Sequence, residues 1–266
     1  MNTERDDDVC SSLEYEWVLP SRDPSKVSLL VHGLNQNPSS LRSLADQLAN
    51  DGTAVMILSL TGHERSSKEW SSEISASRWI SDVRCAYTAA KDRFKHLPVY
   101  AVGYSIGAVV LTSSALFDPS CHYEGFAFLA PPFALTLTGR AVGLLTWLRV
   151  FELSLPSAAP ADYRLHSTTS LRAYHASLSL IDALSYHKDF SELSELPGVV
   201  VVSEDDELVS SAGVKRFLKD KSLARWPVET VTAVGEYKHM IFDEHHVNAH
   251  DWNRMLQSIR RVMNPS

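Results

Sequence analysis

Six short runs of apolar, mostly β-branched residues recur along the chain, and segments with the spacing of amphipathic helices lie between them. The runs do not alternate between apolar and polar residues, which is typical of strands buried on both faces of a parallel sheet. Strands that alternate with helices predict an α/β fold with a mostly parallel, doubly wound sheet. Segment 13–19 does alternate, and it predicts an antiparallel edge strand. The six predicted buried strands are 27–31, 54–58, 99–102, 126–129, 199–202 and 228–233.

The connection between the fourth and fifth of these runs is far longer than the dozen or so residues that a parallel crossover needs. Within it, segment 141–153 is apolar nearly all round, and segment 169–186 has a second helical pattern. We therefore predict a helical cap over the carboxyl edge of the sheet, where the sites of open α/β sheets lie. The predicted organisation is a core of residues 1–130 and 190–266 with a cap at 131–189, inserted between the sixth and seventh main strands.

Charge and cysteine content narrow the class of protein. The 266 residues have a formal net charge of −7 at pH 7, and no long basic stretch offsets this, which argues against a nucleic acid partner. Cys10, Cys85 and Cys121 form neither a disulfide framework nor a metal-binding pattern, which is typical of a reducing compartment. The acidic amino terminus lacks the basic and apolar regions of a signal peptide, so we expect a cytoplasmic protein.

Residues 103–107 read Gly-Tyr-Ser-Ile-Gly, a GxSxG motif between a predicted strand and a predicted helix. The uncharged stretch 97–117 is therefore interpreted as a buried strand followed by a buried helix, not as a membrane span. Ser105 must adopt a strained turn, so the residues two places away on either side must be small. The helix amino terminus behind it supplies positive partial charge where an oxyanion would form. An ordinary glycine-rich packing turn is the alternative interpretation.

A serine hydroxyl is a poor nucleophile without a base, and the base needs a carboxylate that orients it. In the GxSxG setting these groups follow in the chain order serine, acid, histidine, at the ends of later strands. The predicted strand at 199–202 ends in the acidic segment 203–209, and the strand at 228–233 is followed by His239. Both predicted loops therefore come in the required order.

These features together resemble the α/β-hydrolase superfamily, especially compact bacterial carboxylesterases and enzymes of the monoacylglycerol lipase or lysophospholipase type. The resemblance covers most of the chain and implies an α/β-hydrolase fold. Glu64 stands where the family often has glycine, which alters one of the matching loops. The matching segments are His32-Gly33, GHERS at 62–66, GYSIG at 103–107, EDDELV at 204–209 and KHMIFDE at 238–244.

The resemblance also implies which residues act. The acid of such enzymes usually begins a D-x-x-V segment, which favours Asp206 over its alternative, Asp205. A histidine followed by apolar and then acidic residues selects His239. The flanking glutamates, Glu204 and Glu207, are expected to face solvent. The implied catalytic residues are Ser105, Asp206 and His239, with the backbone N–H groups of Leu34 and Ile106 as the oxyanion hole.

The remaining histidines have structural interpretations. His32, at a strand end, is expected to shape the loop that holds the oxyanion donor, and His63 is expected to stabilise a loop. His246 and His250 have an i, i+4 spacing that could bind zinc, but polar residues at the start of an exposed helix explain them as well. We predict neither a metal nor a cofactor.

The implied reaction is hydrolysis of a carboxylic ester through an acyl-enzyme. The apolar segment 141–153, with Trp147 and Phe151, would line an acyl pocket and could contact a lipid surface transiently. We therefore expect a small, lipid-like ester substrate with a medium or long acyl chain, such as a monoacylglycerol or a lysophospholipid. A thioesterase, an acyltransferase, or a noncatalytic ligand-binding receptor on the same fold are the alternatives.

Overall fold

The computed structural model describes residues 10–64, 70–139, 153–157 and 159–264, and all structural statements concern these residues. The strands are β1 (Glu14–Val18), β2 (Lys26–Val31), β3 (Thr53–Ser59), β4 (Val99–Tyr104), β5 (Phe126–Leu129), β6 (Ser154–Pro156), β7 (Thr168–Ser170), β8 (Gly198–Ser203) and β9 (Val228–Val231). The helices numbered here are α1 (Arg42–Asn50), α2 (Ala76–Arg93), α3 (Ile106–Phe117), α4 (Leu171–Tyr186), α5 (Ser191–Ser194), α6 (Ser211–Asp220) and α7 (Ala249–Met263).

Seven of these strands form the main sheet, in the order β1-β3-β2-β4-β5-β8-β9. Every neighbouring pair is parallel except β1 and β3, which are antiparallel. The five inner strands of this sheet are buried along their whole length, which explains why their sequences do not alternate. These strands are β2, β3, β4, β5 and β8. Five of the six predicted buried strands and the antiparallel edge strand are confirmed. The sixth, predicted at 228–233, forms β9 at the opposite edge of the sheet, where three of its four residues are only partly buried.

Helices cover both faces of the sheet. Apolar residues of α1 and α7 pack in one core cluster, whereas those of α2, α3, α4 and α6 pack in a second cluster on the other face. This arrangement confirms the predicted doubly wound α/β fold. The uncharged stretch 97–117 forms β4 and α3 with the Ser105 turn between them. Among the residues described, no helix combines the length and the hydropathy that crossing a membrane would need.

The long insertion lies between β5 and β8, so it follows the fifth strand of the main sheet and not the sixth as predicted. This count includes the antiparallel edge strand β1, which is the first of the seven described strands of the main sheet. Helix α4 differs from the predicted cap because it buries its apolar face beside α2 and α3 in the core. The predicted helix at 141–153, with Trp147 and Phe151, lies outside the described residues apart from Leu153. The domain boundaries stay a prediction.

Cys10 and Cys85 form a disulfide, which the spacing of the cysteines does not predict. Cys85 lies on α2, and Cys121 is free and buried. The two bonded residues are 75 positions apart, and a single bridge between distant residues leaves no local sequence pattern. Because disulfides persist mainly in oxidising compartments, the pairing removes the cysteine-based argument for a cytoplasmic location.

Reduction of the Cys10–Cys85 disulfide is expected to lower the free energy of unfolding by about 4 kcal/mol, the chain-entropy effect of opening a loop of this length. Urea unfolding of the oxidised protein and of the reduced, alkylated protein measures the difference. The Cys10→Ser protein is the control, since a reductant should leave its unfolding midpoint unchanged. Equal midpoints for the oxidised and reduced wild-type protein would show that the bridge does not constrain the chain.

Candidate active site

Ser105 lies in the turn between β4 and α3, at the carboxyl edge of the sheet. Its φ of 50° and ψ of −123° form a conformation that residues other than glycine rarely adopt. The Ser105 N–H donates to the Leu129 carbonyl at 2.8 Å, and the Ser105 carbonyl accepts from the Ala108 N–H at 3.0 Å. The neighbouring strand and the helix therefore hold the strained turn, which matches the conformation predicted from the motif.

The two glycines of the motif permit close approaches between backbone segments. A Cβ atom on Gly103 would lie 2.6 Å from the Ala108 nitrogen, and one on Gly107 would lie 2.2 Å from the Val31 carbonyl oxygen. Such distances are too short for real Cβ atoms, so a larger residue would displace α3 from the sheet. Gly107 thus lets the start of α3 pack against the end of β2, just before the loop that contains Leu34.

Ser105, His239 and Asp206 form a continuous chain of hydrogen bonds. Ser105 Oγ lies 2.8 Å from His239 Nε2, and His239 Nδ1 lies 2.8 Å from Asp206 Oδ2. The three residues follow β4, β9 and β8, whose carboxyl ends share one edge of the sheet. The Asp206 side chain is fully buried, and the imidazole is 11% exposed. In this arrangement a buried carboxylate orients an imidazole toward a hydroxyl, as nucleophilic catalysis by serine requires.

Backbone contacts fix the Asp206 carboxylate in place. Its Oδ1 accepts the N–H groups of Leu208 at 2.8 Å and Val209 at 2.9 Å, which leaves Oδ2 for His239. Asp205, the alternative acid, is exposed. The structure therefore brings Asp206, and not Asp205, to the histidine.

Glu207 joins the loop of the acid to the loop of the histidine, and the expectation that it faces solvent is wrong. Its side chain is half-buried, and Oε2 accepts the backbone N–H groups of Lys238 at 3.0 Å and His239 at 3.1 Å. Glu204 is exposed, as predicted. The sequence of four consecutive acidic residues does not indicate which side chains are buried, so it does not distinguish Glu207 from its neighbours.

Tyr104 is a second supporting residue that the sequence analysis did not identify. Its hydroxyl donates to the His239 carbonyl at 3.2 Å. Burial raises the pKa of Tyr104 well above its ordinary value, and the carboxylates of Asp206 and Glu207 raise it further, so the hydroxyl stays a donor. A Cβ atom on Gly33 would lie 2.8 Å from the ring of Tyr104. Tyr104 therefore packs between the loop after β2 and the loop of the histidine.

The two predicted oxyanion donors occupy suitable backbone positions. Ile106 is the first residue of α3, where an N–H has no acceptor within its own helix. Leu34 lies in the loop after β2, and no acceptor among the described residues pairs with its N–H. Within the described residues, neither N–H group has an intramolecular acceptor. Their role as oxyanion donors stays a prediction.

His32 and His63 are fully buried and neutral. His32 Nε2 accepts the Leu60 N–H at 3.1 Å, and Nδ1 lies 2.7 Å from the Gly33 carbonyl, to which it donates. Burial lowers the pKa of His32 to about 4. His63 Nε2 accepts the Asn35 N–H at 2.9 Å, and burial lowers the pKa of His63 well below its ordinary value, with neighbouring imidazoles adding to the effect. These contacts agree with the structural roles expected for both histidines.

The remaining candidates lie away from these contacts. His246 precedes α7, and His250 is exposed in the first turn of that helix. No group of three or more potential ligands for a metal comes together within the described parts of the chain. The carboxylate of Glu64 accepts the Gly62 N–H at 3.0 Å, which shows how the loop accommodates glutamate in place of glycine. Ser66, the last residue of GHERS, lies outside the described residues.

Comparison with known families identifies the group to which this site belongs. The family model Hydrolase_4, described as serine aminopeptidase, S33, matches residues 22–246. The chain belongs to this family. The match confirms the predicted membership of the α/β-hydrolase superfamily. No curated protein matches the sequence significantly.

Several solved structures share the fold of this Hydrolase_4 member. A soluble variant of monoglyceride lipase from Saccharomyces cerevisiae, in complex with a substrate analog, is 14% identical, with a TM-score of 0.73 over 94% of this chain and 90% of that one. The monoacylglycerol lipase of Paleococcus ferrophilus is 15% identical, with a TM-score of 0.68 over 93% and 96% of the two chains. A thermostable carboxyl esterase from Bacillus coagulans, in complex with glycerol, is 12% identical, with a TM-score of 0.68 over 95% and 94%. At these identities the likeness establishes the fold.

Proposed function

We propose that this Hydrolase_4 protein is a serine hydrolase that cleaves carboxylic esters. The observation that carries the proposal is the hydrogen-bond chain that links Ser105 Oγ through His239 to Asp206, with both contacts at 2.8 Å. A noncatalytic ligand receptor has no need of a hydroxyl, an imidazole and a buried carboxylate in this order. The ester-hydrolysing neighbours of the same fold support the choice of reaction.

In the first half of the proposed reaction, Ser105 Oγ attacks the ester carbonyl carbon while His239 Nε2 takes the hydroxyl proton. The Asp206 carboxylate stabilises the resulting imidazolium. The N–H groups of Leu34 and Ile106 donate to the oxyanion, and loss of one such donor typically costs about 3 kcal/mol of barrier. The intermediate collapses when the alcohol leaves with the proton from His239, and the acyl group remains on Ser105.

In the second half, water takes the place of the alcohol. His239 accepts a proton from the water as its oxygen attacks the acyl carbon, and the same two N–H groups stabilise the second oxyanion. The bond to Ser105 Oγ then breaks, and His239 returns its proton to the serine. The carboxylic acid product leaves, and the side chains return to their starting states.

For the substrate we propose a lipid-like ester with a medium or long acyl chain. Leu208, two residues after the acid, is 38% exposed, and Leu137, whose neighbour Thr136 donates a backbone hydrogen bond to the Leu208 carbonyl, is 88% exposed. Exposed leucines next to the acid loop offer apolar surface to an acyl chain. Similar monoglyceride lipases support the same substrate class. A cytoplasmic location and transient contact with a lipid surface also stay predictions.

A chain-length series of p-nitrophenyl esters tests the acyl preference. We expect kcat/KM for the decanoate to exceed that for the acetate by at least about tenfold, because additional methylene groups become buried. Leu208→Ser should reduce this ratio, whereas Tyr186→Ser, at an exposed position on α4, should leave it unchanged. Activity that peaks at acetate would contradict the proposed chain length.

The same assay separates the alternative reactions. Acyl thioesters test for a thioesterase, and added glycerol as an acceptor tests for an acyltransferase. Aminoacyl p-nitroanilides are included because the family description refers to an aminopeptidase. We expect the highest kcat/KM for the oxygen esters, with water as the main acyl acceptor. A higher value for thioesters or anilides would replace the proposed substrate class while keeping the nucleophile.

A further inference from the structure

Asn35, the residue after Leu34, connects the loop after β2 to the long insertion. It is 2% exposed, and its φ is 54°. Asparagine tolerates this left-handed conformation better than most residues do. The turn at Asn35 therefore sets the direction of the peptide chain immediately next to the predicted oxyanion donor.

The side-chain amide of Asn35 contacts residues 166–169 of the insertion, just before α4. Its Oδ1 accepts the His166 N–H at 2.9 Å, and its Nδ2 donates to the His166 carbonyl at 2.9 Å. Nδ2 also donates to Thr169 Oγ1 at 3.0 Å and lies 3.4 Å from the Thr168 carbonyl. Because a buried amide without partners costs free energy, this pairing strongly favours the docked position of the insertion.

The backbone of Asn35 is held from two sides. Its N–H donates to His63 Nε2 at 2.9 Å on the core side, and its carbonyl accepts the Leu165 N–H at 3.0 Å on the insertion side. Two residues further along, the Asn37 N–H donates to the Tyr163 carbonyl at 2.8 Å. Residues 33–37 thus pack between the core and the insertion, and the Leu34 N–H within this loop remains free of an intramolecular acceptor among the described residues.

We propose that Asn35 is a positioning residue that sets the Leu34 N–H and makes its placement depend on the docking of residues 163–169. The inference rests on the proposed function, since Leu34 serves as an oxyanion donor only if Ser105 is the nucleophile. Among the described residues nothing accepts a hydrogen bond from the Leu34 N–H, so its neighbours in the loop determine the direction of the donor. A shift of about 1 Å in a group that stabilises the transition state can reduce the rate about 10²-fold.

Asn35→Gly tests this role because glycine keeps the left-handed backbone and removes only the amide. We expect kcat for the preferred p-nitrophenyl ester to fall about 10²-fold with little change in KM, since the oxyanion develops in the transition state. Thr169→Val removes an acceptor from the insertion side and should give a smaller loss of the same kind. Asn248→Gly is the matched control: it removes the side-chain amide that caps α7 through bonds to Asp251, outside residues 33–37 and 163–169, and should keep kcat.

A trifluoromethyl ketone separates donor placement from general loss of structure. Ser105 Oγ adds to the ketone carbonyl and its proton moves to His239, which leaves an oxyanion for the same donors. We expect the affinity of Asn35→Gly for this ketone to fall in parallel with kcat. The affinity for the corresponding secondary alcohol, which forms no adduct, should not change.

Hydrogen exchange of residues 33–37 and 163–169 measures docking without any reference to activity. Faster exchange in both segments of Asn35→Gly, but not of Asn248→Gly, would support the proposal. Wild-type kcat and ketone affinity in Asn35→Gly, or a change in KM alone, would overturn it. Wild-type protein that hydrolyses no ester and forms no ketone adduct would instead contradict the proposed function, and the exchange rates would then decide whether Asn35 docks the insertion.

Discussion

The Ser105→Ala protein is expected to hydrolyse esters with a kcat about 10⁶-fold lower than that of the wild-type protein. The substitution removes the only hydroxyl that contacts the His239 imidazole among the described residues, and the remaining groups cannot form an acyl-enzyme. The free energy of unfolding should change by less than about 0.5 kcal/mol. Among the described residues, the Ser105 hydroxyl forms a hydrogen bond with only one side chain, that of His239. Initial rates with p-nitrophenyl decanoate and urea unfolding measure the two quantities.

Ser113→Ala provides the matched control for this loss of activity. Ser113 is a buried serine on α3, the helix that begins next to Ser105, and its hydroxyl has no partner among the described residues. Its replacement should leave kcat within about twofold of the wild-type value. A buried residue that does not contact the reacting groups affects the stability of the fold more than the reaction. Substantial hydrolysis by purified Ser105→Ala would mean that another group performs the attack.

The second large effect is expected for Asp206→Asn, with kcat reduced by about 10⁴-fold. Asp206 Oδ1 accepts two backbone N–H groups, so the asparagine oxygen would occupy that position and its NH₂ group would face His239 Nδ1. Nδ1 would then accept a hydrogen bond, and Nε2 would carry the proton. A protonated Nε2 cannot take the proton of the Ser105 hydroxyl, so the base is lost while the packing remains.

Asp205→Asn removes the same charge from the adjacent, exposed position and is the matched comparison. We expect its kcat to stay within about threefold of the wild-type value, because a solvated charge has little influence on the buried pair. Rates measured for both variants across the same pH range identify the orienting carboxylate. A larger loss for Asp205→Asn than for Asp206→Asn would reverse the assignment.

The features that the sequence predicts correctly are those with a local signature. A strand buried on both faces needs an uninterrupted apolar run, so β2, β3, β4, β5 and β8 are recognisable without knowledge of their neighbours. The Ser105 turn is equally local, because the strain and the two glycines fall within five residues. The order of parallel strands then places the loops with Asp206 and His239 at the same edge.

The features that the sequence does not predict depend on contacts between distant residues. Asn35 bonds to residues more than 130 positions away, and Glu207 bonds to a backbone N–H 32 positions away. A loop asparagine and a glutamate in an acidic run look like solvated residues until those partners are placed. The helical pattern of α4 likewise reveals an apolar face but not the surface that covers it, so the sequence does not show that this face packs in the core.

Covalent labelling with a fluorophosphonate tests the central claim most directly. An activated serine displaces fluoride from the phosphorus atom and retains the phosphonyl group, which mass spectrometry locates after digestion. We predict that the native protein gains one phosphonyl group, on Ser105, and that Asp206→Asn gains it far more slowly than Asp205→Asn. The absence of an adduct on Ser105 in the folded wild-type protein, or an adduct on a different serine, would contradict the account.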